Sequence, residues 1–197
     1  MASIFKDSLS YLLVFIVSLI ALTSCNSTID KPLRDNFTSE IPENYNPEAN
    51  LSVLDISLRD QGIPVANYVH AIRSGNLLFL AGKGPKQANG ENIVGKLGAD
   101  LDIEEGYQAA KEAGINQLSV LKAELGNLNR VKRVIKVTGM VNAIPEFKDH
   151  SKVINGYSDL MVAVFGENGK HARAAVGMGS LPGNMAVEVE MVVEVWE

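Results

Sequence analysis

The longest helical pattern in the chain runs from residue 103 to residue 125, where apolar and small side chains recur every three or four positions. This spacing places them on one face of an α-helix. Asp102 can cap the helix, Glu105 stands three residues later as in a capping box, and Gly126 is placed to end it. We predict a helix with one core-facing stripe, formed by Ile103, Tyr107, Ala110, Gly114, Leu118, Leu121 and Leu125.

Shorter patterns on both sides of this helix predict a hairpin, a strand and a second long helix. Residues 67–82 form two apolar runs separated by the turn-forming trio at 74–76, which is typical of a β-hairpin. Residues 130–141 alternate valine and isoleucine with basic residues and predict a strand. Pro145 can open a helix that continues to about Phe165.

Two final strands close the chain, and the last one is apolar on both sides. One side carries Val187, Val189, Met191, Val193 and Val195, whereas Glu188, Val192 and Trp196 lie on the other. The order hairpin, helix, strand, helix, two strands predicts an α/β fold, with one mixed sheet and both main helices on one face. The partly apolar face without helices predicts burial through oligomerisation.

The first residues have the pattern of an export signal. An apolar run covers residues 9–22, which is short for a membrane span and suits a signal peptide. It ends in Leu-Thr-Ser-Cys, and Cys25 is the only cysteine. This ending resembles the lipobox of bacterial lipoproteins, which implies removal of residues 1–24, lipidation of Cys25 and anchoring to a bacterial membrane, facing the periplasm. An uncleaved anchor or an ordinary signal remains the alternative.

Residues 26–50 hold three prolines and five asparagines without apolar periodicity, so we predict a flexible tether, 25–50 including Cys25. Residues 51–197 then form a single domain. This domain opens with a short helix over 51–63, which Gly62 and Pro64 would end. Since the mature chain has no second cysteine, its stability must come from its core rather than from a disulfide.

Composition and charge narrow the classes of function. The 197 residues are 46% hydrophobic and 21% charged, as in globular proteins, and the net charge is −5. The sequence contains no cluster of lysine and arginine, so binding to nucleic acid is not favoured.

No nucleotide, metal or serine-hydrolase motif is present in the sequence. The stretches at 82–85 and 166–171 contain glycine and lysine but lack the spacing of a phosphate-binding loop. The three histidines lie far apart without metal-ligand spacing, and no Gly-x-Ser-x-Gly motif occurs. We therefore expect neither a metal nor a cofactor.

Arg173 is the strongest candidate for chemistry on residue type alone. It precedes a small, apolar strand, where an inward-pointing arginine would be costly without an anion to meet it. The planar guanidinium can hold a small carboxylate with two hydrogen bonds. A surface arginine at the start of a strand is an equally good interpretation at this point.

Three segments are similar to those of a known family: the C-terminal stretch ARAAVGMGSLPGNMAVEVEMVVEV, the hairpin NYVHAIRSGNLLFLAGKGP and the helical stretch VINGYSDL. They resemble the Rid family (reactive intermediate deaminases, also called YjgF-type or L-PSP-type proteins), and the resemblance extends over about residues 64–195. The stretches GKLGADLDIEEGY and GKHAR are closer to a longer-chain branch of the family.

The resemblance implies a chorismate-mutase-like trimer with ligand clefts between subunits. It implies that Arg173 binds a substrate carboxylate, that Tyr68 and Asn155 line the cleft, and that Glu188 holds the attacking water. In the deaminases, 2-imino or 2-enamino acids are hydrolysed to 2-oxo acids and ammonia without a cofactor. An imine carbon is already electrophilic, so this chemistry needs little more than positioning and a water.

Two departures from the deaminase pattern bear on catalysis. Ala81 stands where a serine is usual, and Ala175 stands where a cysteine, threonine or serine is usual. The two hydrogen-bonding groups are lost, so a non-catalytic trimer that binds small carboxylates is the alternative to the deaminase. An endoribonuclease is less favoured because the net charge of −5 opposes binding to a phosphate backbone.

Overall fold

The computed structural model describes residues 40–64 and 66–196. The predicted signal peptide, Cys25 and most of the predicted tether lie outside the described residues. Within this part of the chain, none of the helices has both the length and the apolar composition that crossing a membrane requires.

Within the described residues, three α-helices and five strands make up the regular structure. The helices are α1 (Pro47–Val53), α2 (Ile103–Leu125) and α3 (His150–Phe165). The strands are β1 (Ala71–Ser74), β2 (Leu77–Lys83), β3 (Val131–Asn142), β4 (Ala172–Met178) and β5 (Val187–Val195). Short 3-10 turns at Leu128–Arg130, Gly166–Gly169 and Pro182–Asn184 connect them.

The strands form one mixed sheet in the order β1-β2-β5-β3-β4. All neighbours are antiparallel except β3 and β4, which run parallel because α3 connects them as a crossover. Strand β5 is central, and its odd-numbered residues from Val187 to Val195 are buried while the residues between them are more exposed. The predicted α/β architecture, a mixed sheet with two main helices on one face, is confirmed.

Helices α2 and α3 pack against each other and against the same face of the sheet. A Cβ atom at Gly156 of α3 would lie 2.0 Å from the carbonyl oxygen of Tyr107 in α2, so glycine is needed for this close approach. Toward the sheet, the hydroxyl of Tyr157 donates to the sulfur of Met191 at 2.9 Å. We call this side of the sheet the helix face and the opposite side the open face.

The capping box at Asp102 and Glu105 and the left-handed cap at Gly126 are both confirmed. The single apolar stripe predicted for α2 is too narrow, because this helix is buried all round from Ala113 to Leu121. Besides the sheet and α3, the segment after α1 lies along α2, and the Arg59 N–H donates to the Ser119 hydroxyl at 3.0 Å. Tertiary packing thus covers polar positions that periodicity alone places in solvent.

The starts of the other two helices differ from the sequence prediction. Helix α3 begins at His150 rather than Pro145, because the preceding residues form a turn in which the Phe147 N–H donates to the Ile144 carbonyl. Helix α1 begins at Pro47, within the segment predicted as tether, because the Asn46 side chain accepts from the Ala49 N–H at 3.1 Å.

Helix α1 also ends earlier than predicted, at Val53 rather than before Gly62. Asp55, with φ 54°, adopts a left-handed conformation that a helix cannot continue. The predicted hairpin is confirmed, with β1 and β2 joined at Gly75 and Asn76, and the strand predicted over 130–141 lies at Val131–Asn142.

Candidate functional site

Arg173 lies on the edge strand β4 and points to the helix face. Its partner in the parallel register is Val137, which is fully buried beneath the helices. The guanidinium Nη1 donates to Asn155 Oδ1 at 2.9 Å and to Ser158 Oγ at 3.0 Å. The structure therefore brings together two of the predicted site residues, Arg173 and Asn155, at the junction of β4 and α3.

The hydrogen bonds of Arg173 leave part of its guanidinium available. Nη2 makes one further, long contact of 3.5 Å to the Ser151 carbonyl. Three of the five N–H groups thus point to α3, and the other two have no partner among the described residues. Two N–H groups are the number that a bidentate carboxylate requires, while the three bonds to α3 fix the orientation of the side chain.

Ser158 and His171 extend this arrangement, and the sequence reasoning missed both. His171 Nδ1 lies 2.7 Å from the Gly169 carbonyl, which can only accept, so this nitrogen carries the proton. The opposite nitrogen, Nε2, then accepts from the Ser158 hydroxyl at 3.1 Å. Burial lowers the pKa of His171, and the charge of Arg173 lowers it further, although the bond to Gly169 has the opposite effect.

The spacing of residues in the sequence could have identified both Ser158 and His171. Ser158 follows Asn155 by three positions and so shares its helix surface, and His171 precedes Arg173 by two positions and so shares its strand face. Ala175, two residues after Arg173, lies on this face too and is partly buried against the core. Its methyl group offers no hydrogen bond to a ligand.

Glu188 lies on the open face of the sheet. Its neighbours Val187 and Val189 are fully buried on the helix face, so the alternation of β5 directs the carboxylate the other way. A Cβ atom at Gly82 would lie 2.2 Å from Glu188 Oε1, so a side chain at position 82 would displace this carboxylate. Burial raises the pKa of Glu188, and the negative charge of Glu190 raises it further.

Tyr68 and Ala81 line an open groove of about 750 Å³ beside β2. Tyr68 is 49% exposed, and the other large side chains in the groove are apolar, including Ile72 and Phe79. Ala81 adds only a methyl group. Tyr68, Ala81 and Glu188 thus belong to the β2–β5 region, and Arg173, Asn155 and Ala175 belong to the β4–α3 edge.

A lysine–histidine pair adjoins this groove and was also missed. Lys83 Nζ lies 2.8 Å from His70 Nδ1, and the Tyr68 ring meets the His70 ring edge-on at 6.4 Å between centroids. His70 Nε2 lies 3.1 Å from the Gly62 carbonyl and therefore donates to it. Burial lowers the pKa of Lys83.

Arg173 and Glu188 occupy opposite faces of the sheet within one chain. Glu188 pairs with Met140 and, through it, shares the open face with Val176 of β4, whereas Arg173 points to α3. A single subunit therefore cannot hold one small ligand between these two side chains. Across residues 40–64 and 66–196, no group of three or more histidine, cysteine, aspartate or glutamate side chains could hold a metal ion.

Comparison with known proteins identifies the family. Residues 48–195 match the family described as "YjgF/chorismate_mutase-like, putative endoribonuclease". Protein TCP17 of Trypanosoma cruzi is 46% identical over 147 residues, which cover 74% of this chain and 92% of that protein. A RutC family protein of Pyrococcus horikoshii is 32% identical over 130 residues, covering 66% and 87% of the two chains.

Two solved structures share this fold over the same part of the chain. A protein of unknown function from Agrobacterium tumefaciens is 42% identical with a TM-score of 0.70, covering 76% of this chain and 93% of its own. A protein from Shewanella oneidensis, named "putative endoribonuclease", is 30% identical with a TM-score of 0.73, covering 76% and 99%. The chain therefore belongs to the YjgF/chorismate-mutase-like family.

Proposed function

We propose that this YjgF-type protein hydrolyses 2-imino or 2-enamino acids to 2-oxo acids and ammonia, without a cofactor, in clefts between the subunits of a homotrimer. The observation that carries the proposal is the separation of Arg173 from Glu188 on opposite faces of the sheet. Each face holds half of the chemistry, anion binding on one and acid–base catalysis on the other. Joining the halves requires a second copy of the chain.

The open face supports such an assembly. Ile72 and Phe79 pair across β1 and β2 and remain 61% and 45% exposed, and Val176 at the β4 edge is 41% exposed. Large apolar side chains left in water on a sheet face favour association. Packing the open face of one subunit against the β4 edge of the next would bring Glu188 of one copy toward Arg173 of another.

The chemistry follows from the two half-sites. The two remaining N–H groups of Arg173 bind the ligand carboxylate and so place the imine carbon. Glu188, whose pKa is raised by burial, accepts a proton from the water that attacks this carbon. The nitrogen takes up that proton, which gives an intermediate with a hydroxyl and an amino group on the same carbon. Glu188 then carries the proton of this hydroxyl to the amino group, so that the C–N bond breaks, ammonia leaves and the carbonyl of the 2-oxo acid forms. Tyr68 orients the ligand from the adjoining groove.

The second candidate is a trimer that binds small carboxylates without turnover. The methyl groups of Ala81 and Ala175 favour it, since each half-site retains its charged residue but presents no hydroxyl from these two positions. Ribonuclease activity is less favoured, although relatives bear that name, because Glu188 and Glu190 add negative charge to an acidic protein.

We propose further that Cys25 is lipidated after removal of residues 1–24, which would anchor the protein to a bacterial membrane on its periplasmic side. The short apolar run at 9–22 and its ending at the single cysteine support this location. Metabolic labelling with a fatty-acid probe should tag the natural chain but not Cys25→Ser. Equal labelling of both would contradict the proposal.

Two measurements on the purified protein separate the deaminase from the binder. Calorimetry with 2-oxobutyrate reports binding, and ammonia release from imines produced in the same tube by an amino-acid oxidase reports turnover. A deaminase gives binding together with ammonia release above the rate without protein. Binding alone would leave the second candidate, and no binding would contradict both. Light scattering that gives a stable monomer at micromolar concentration would contradict the cleft.

A further inference from the structure

The hydroxyl of Ser158 does not behave as serine hydroxyls inside helices usually do. Such hydroxyls commonly bond back to the carbonyl four residues earlier. Ser119 of α2 does so, donating to Ile115 at 2.8 Å, and Ser52 of α1 donates to Glu48 at 3.3 Å. Ser158 instead donates to His171 Nε2 at 3.1 Å and accepts from Arg173 at 3.0 Å. Its hydroxyl is therefore bound by a base and by a cation.

His171 has the orientation that a general base needs. The Gly169 carbonyl holds the proton on Nδ1, so the lone pair of Nε2 faces the Ser158 hydroxyl. Gly169 itself packs against the backbone of α3. A Cβ atom at Gly169 would lie 2.2 Å from the Met161 carbonyl oxygen, so glycine is needed at this position. Nucleophile, base and a third group that orients the base are the three parts of a hydrolytic triad.

Arg173 supplies the positive charge beside this pair. Its Nη1 already touches Ser158 Oγ, where negative charge develops when the hydroxyl loses its proton. The two N–H groups left over can hold a carboxylate on the same substrate. Ser158 and His171 are both half-buried, so reagents of small size can reach them.

We propose that Ser158 is a nucleophile with His171 as its general base, and that the β4–α3 edge hydrolyses esters of small acids that carry a second carboxylate. Ser158 Oγ forms a bond to the ester carbonyl carbon as its proton passes to His171 Nε2. The tetrahedral intermediate collapses, the bond to the alcohol oxygen breaks, and that oxygen takes the proton from His171. Water, deprotonated by His171, then releases the acid and restores the Ser158 hydroxyl.

The test uses the full chain, a fluorophosphonate probe and the para-nitrophenyl half-ester of succinate. Peptide mapping should place the fluorophosphonate adduct on Ser158, and Ser158→Ala should remove both the adduct and the ester hydrolysis. His171→Gln should slow both about 100-fold, the scale of general-base catalysis. Ser52→Ala is the matched control, because Ser52 is an exposed helix serine, and it should change neither. An unlabelled Ser158, or equal rates in His171→Gln, would overturn the proposal.

If Ser158→Ala folds poorly, the variant Ser158→Cys provides an independent test of the proposed base and cation. In Ser158→Cys the imidazole of His171 and the charge of Arg173 should lower the thiol pKa, so iodoacetamide should alkylate it faster at neutral pH than it alkylates Ser52→Cys. Equal rates would overturn the dyad. Binding of 2-oxobutyrate to the same preparations distinguishes this failure from that of the proposed function: binding without serine reactivity rejects only the dyad.

Discussion

The β4–α3 edge and the open face around β2 and β5 differ in how completely one chain builds them. At the edge, Arg173 receives three hydrogen-bond partners from α3 alone, and His171 extends the network within the same few residues. On the open face, burial and the negative charge of Glu190 both raise the pKa of Glu188, and the adjoining groove is mostly apolar. The side chain of Arg173 is thus held in place within one chain, whereas the proposed role of Glu188 depends on a second copy of the chain.

This difference separates binding from turnover. An anion can bind to the edge of a single subunit, because the two N–H groups left on Arg173 are sufficient for a carboxylate. In the proposed reaction, hydrolysis also needs Glu188, which lies on the opposite face, and therefore needs the proposed assembly. Substitutions at the edge should therefore act on affinity, and those on the open face on rate.

The largest effect is expected on the open face. Glu188→Gln keeps the size of the side chain but cannot accept a proton, so ammonia release should fall about 100-fold or more while 2-oxobutyrate binding stays nearly unchanged. Steady-state assays and calorimetry on one preparation measure the two quantities. If affinity falls as much as rate, Glu188 contributes to binding instead.

At the edge, Arg173→Ala should weaken 2-oxobutyrate binding at least about tenfold, since hydrogen bonds to charged partners contribute roughly 1.5–3 kcal/mol each. Arg73→Ala is the control, because Arg73 is an exposed arginine of β1 whose one hydrogen-bond partner within residues 40–64 and 66–196 is the nearby Gly75 carbonyl. Unchanged affinity in Arg173→Ala would make Arg173 a structural partner of α3.

Ala81 and Ala175 can be replaced by residues that carry a hydroxyl group, and a rise in turnover can then be measured. If the missing side-chain groups limit turnover, Ala81→Ser combined with Ala175→Thr should raise ammonia release with little change in binding. Thermal unfolding of the double variant serves as control, because Ala175 packs against the core. No gain in a stable double variant would favour the non-catalytic trimer.

Removing the charge of Glu190 should move the pH profile of turnover. Burial and the charge of Glu190 raise the pKa of Glu188, so in Glu190→Gln this pKa should fall toward its ordinary value. The acidic limb of the rate profile should then shift to lower pH, because the carboxylate form persists there. A shift to higher pH, or none, would mean that Glu188 is not the group that the profile reports.

The smallest effect concerns the stability of the edge. The pKa of His171 lies below 6.5 in the folded state, so the folded protein binds fewer protons than the unfolded chain between those values. This contribution to stability is complete above pH 6.5 and is lost as the pH falls through the lowered pKa. His171→Gln should lose less stability in acid than the natural chain does, as measured by urea unfolding on both sides of pH 6.5. A steeper loss would contradict this sign.

The sequence by itself determined the elements whose signals are local. The capping box at Asp102 and Glu105, the cap at Gly126 and the turn at 74–76 depend on neighbouring residues, and the structure has them at the expected positions. The alternation of β5 likewise assigns Glu188 to one side and Val187 and Val189 to the other without further information. Such local patterns predict the structure correctly because the interacting groups are close together in the chain.

Only the tertiary structure decided which residues form each site. Arg173 and Glu188 belong to the same C-terminal stretch of sequence. In the structure, Arg173 lies on the parallel edge strand β4 and contacts α3, whereas Glu188 lies on the antiparallel strand β5 and faces the open side. Ser158 and His171 meet because α3 lies over β4, and the middle of α2 is buried all round because three elements pack on it. Their positions depend on contacts between distant segments, which the periodicity of any one segment does not contain.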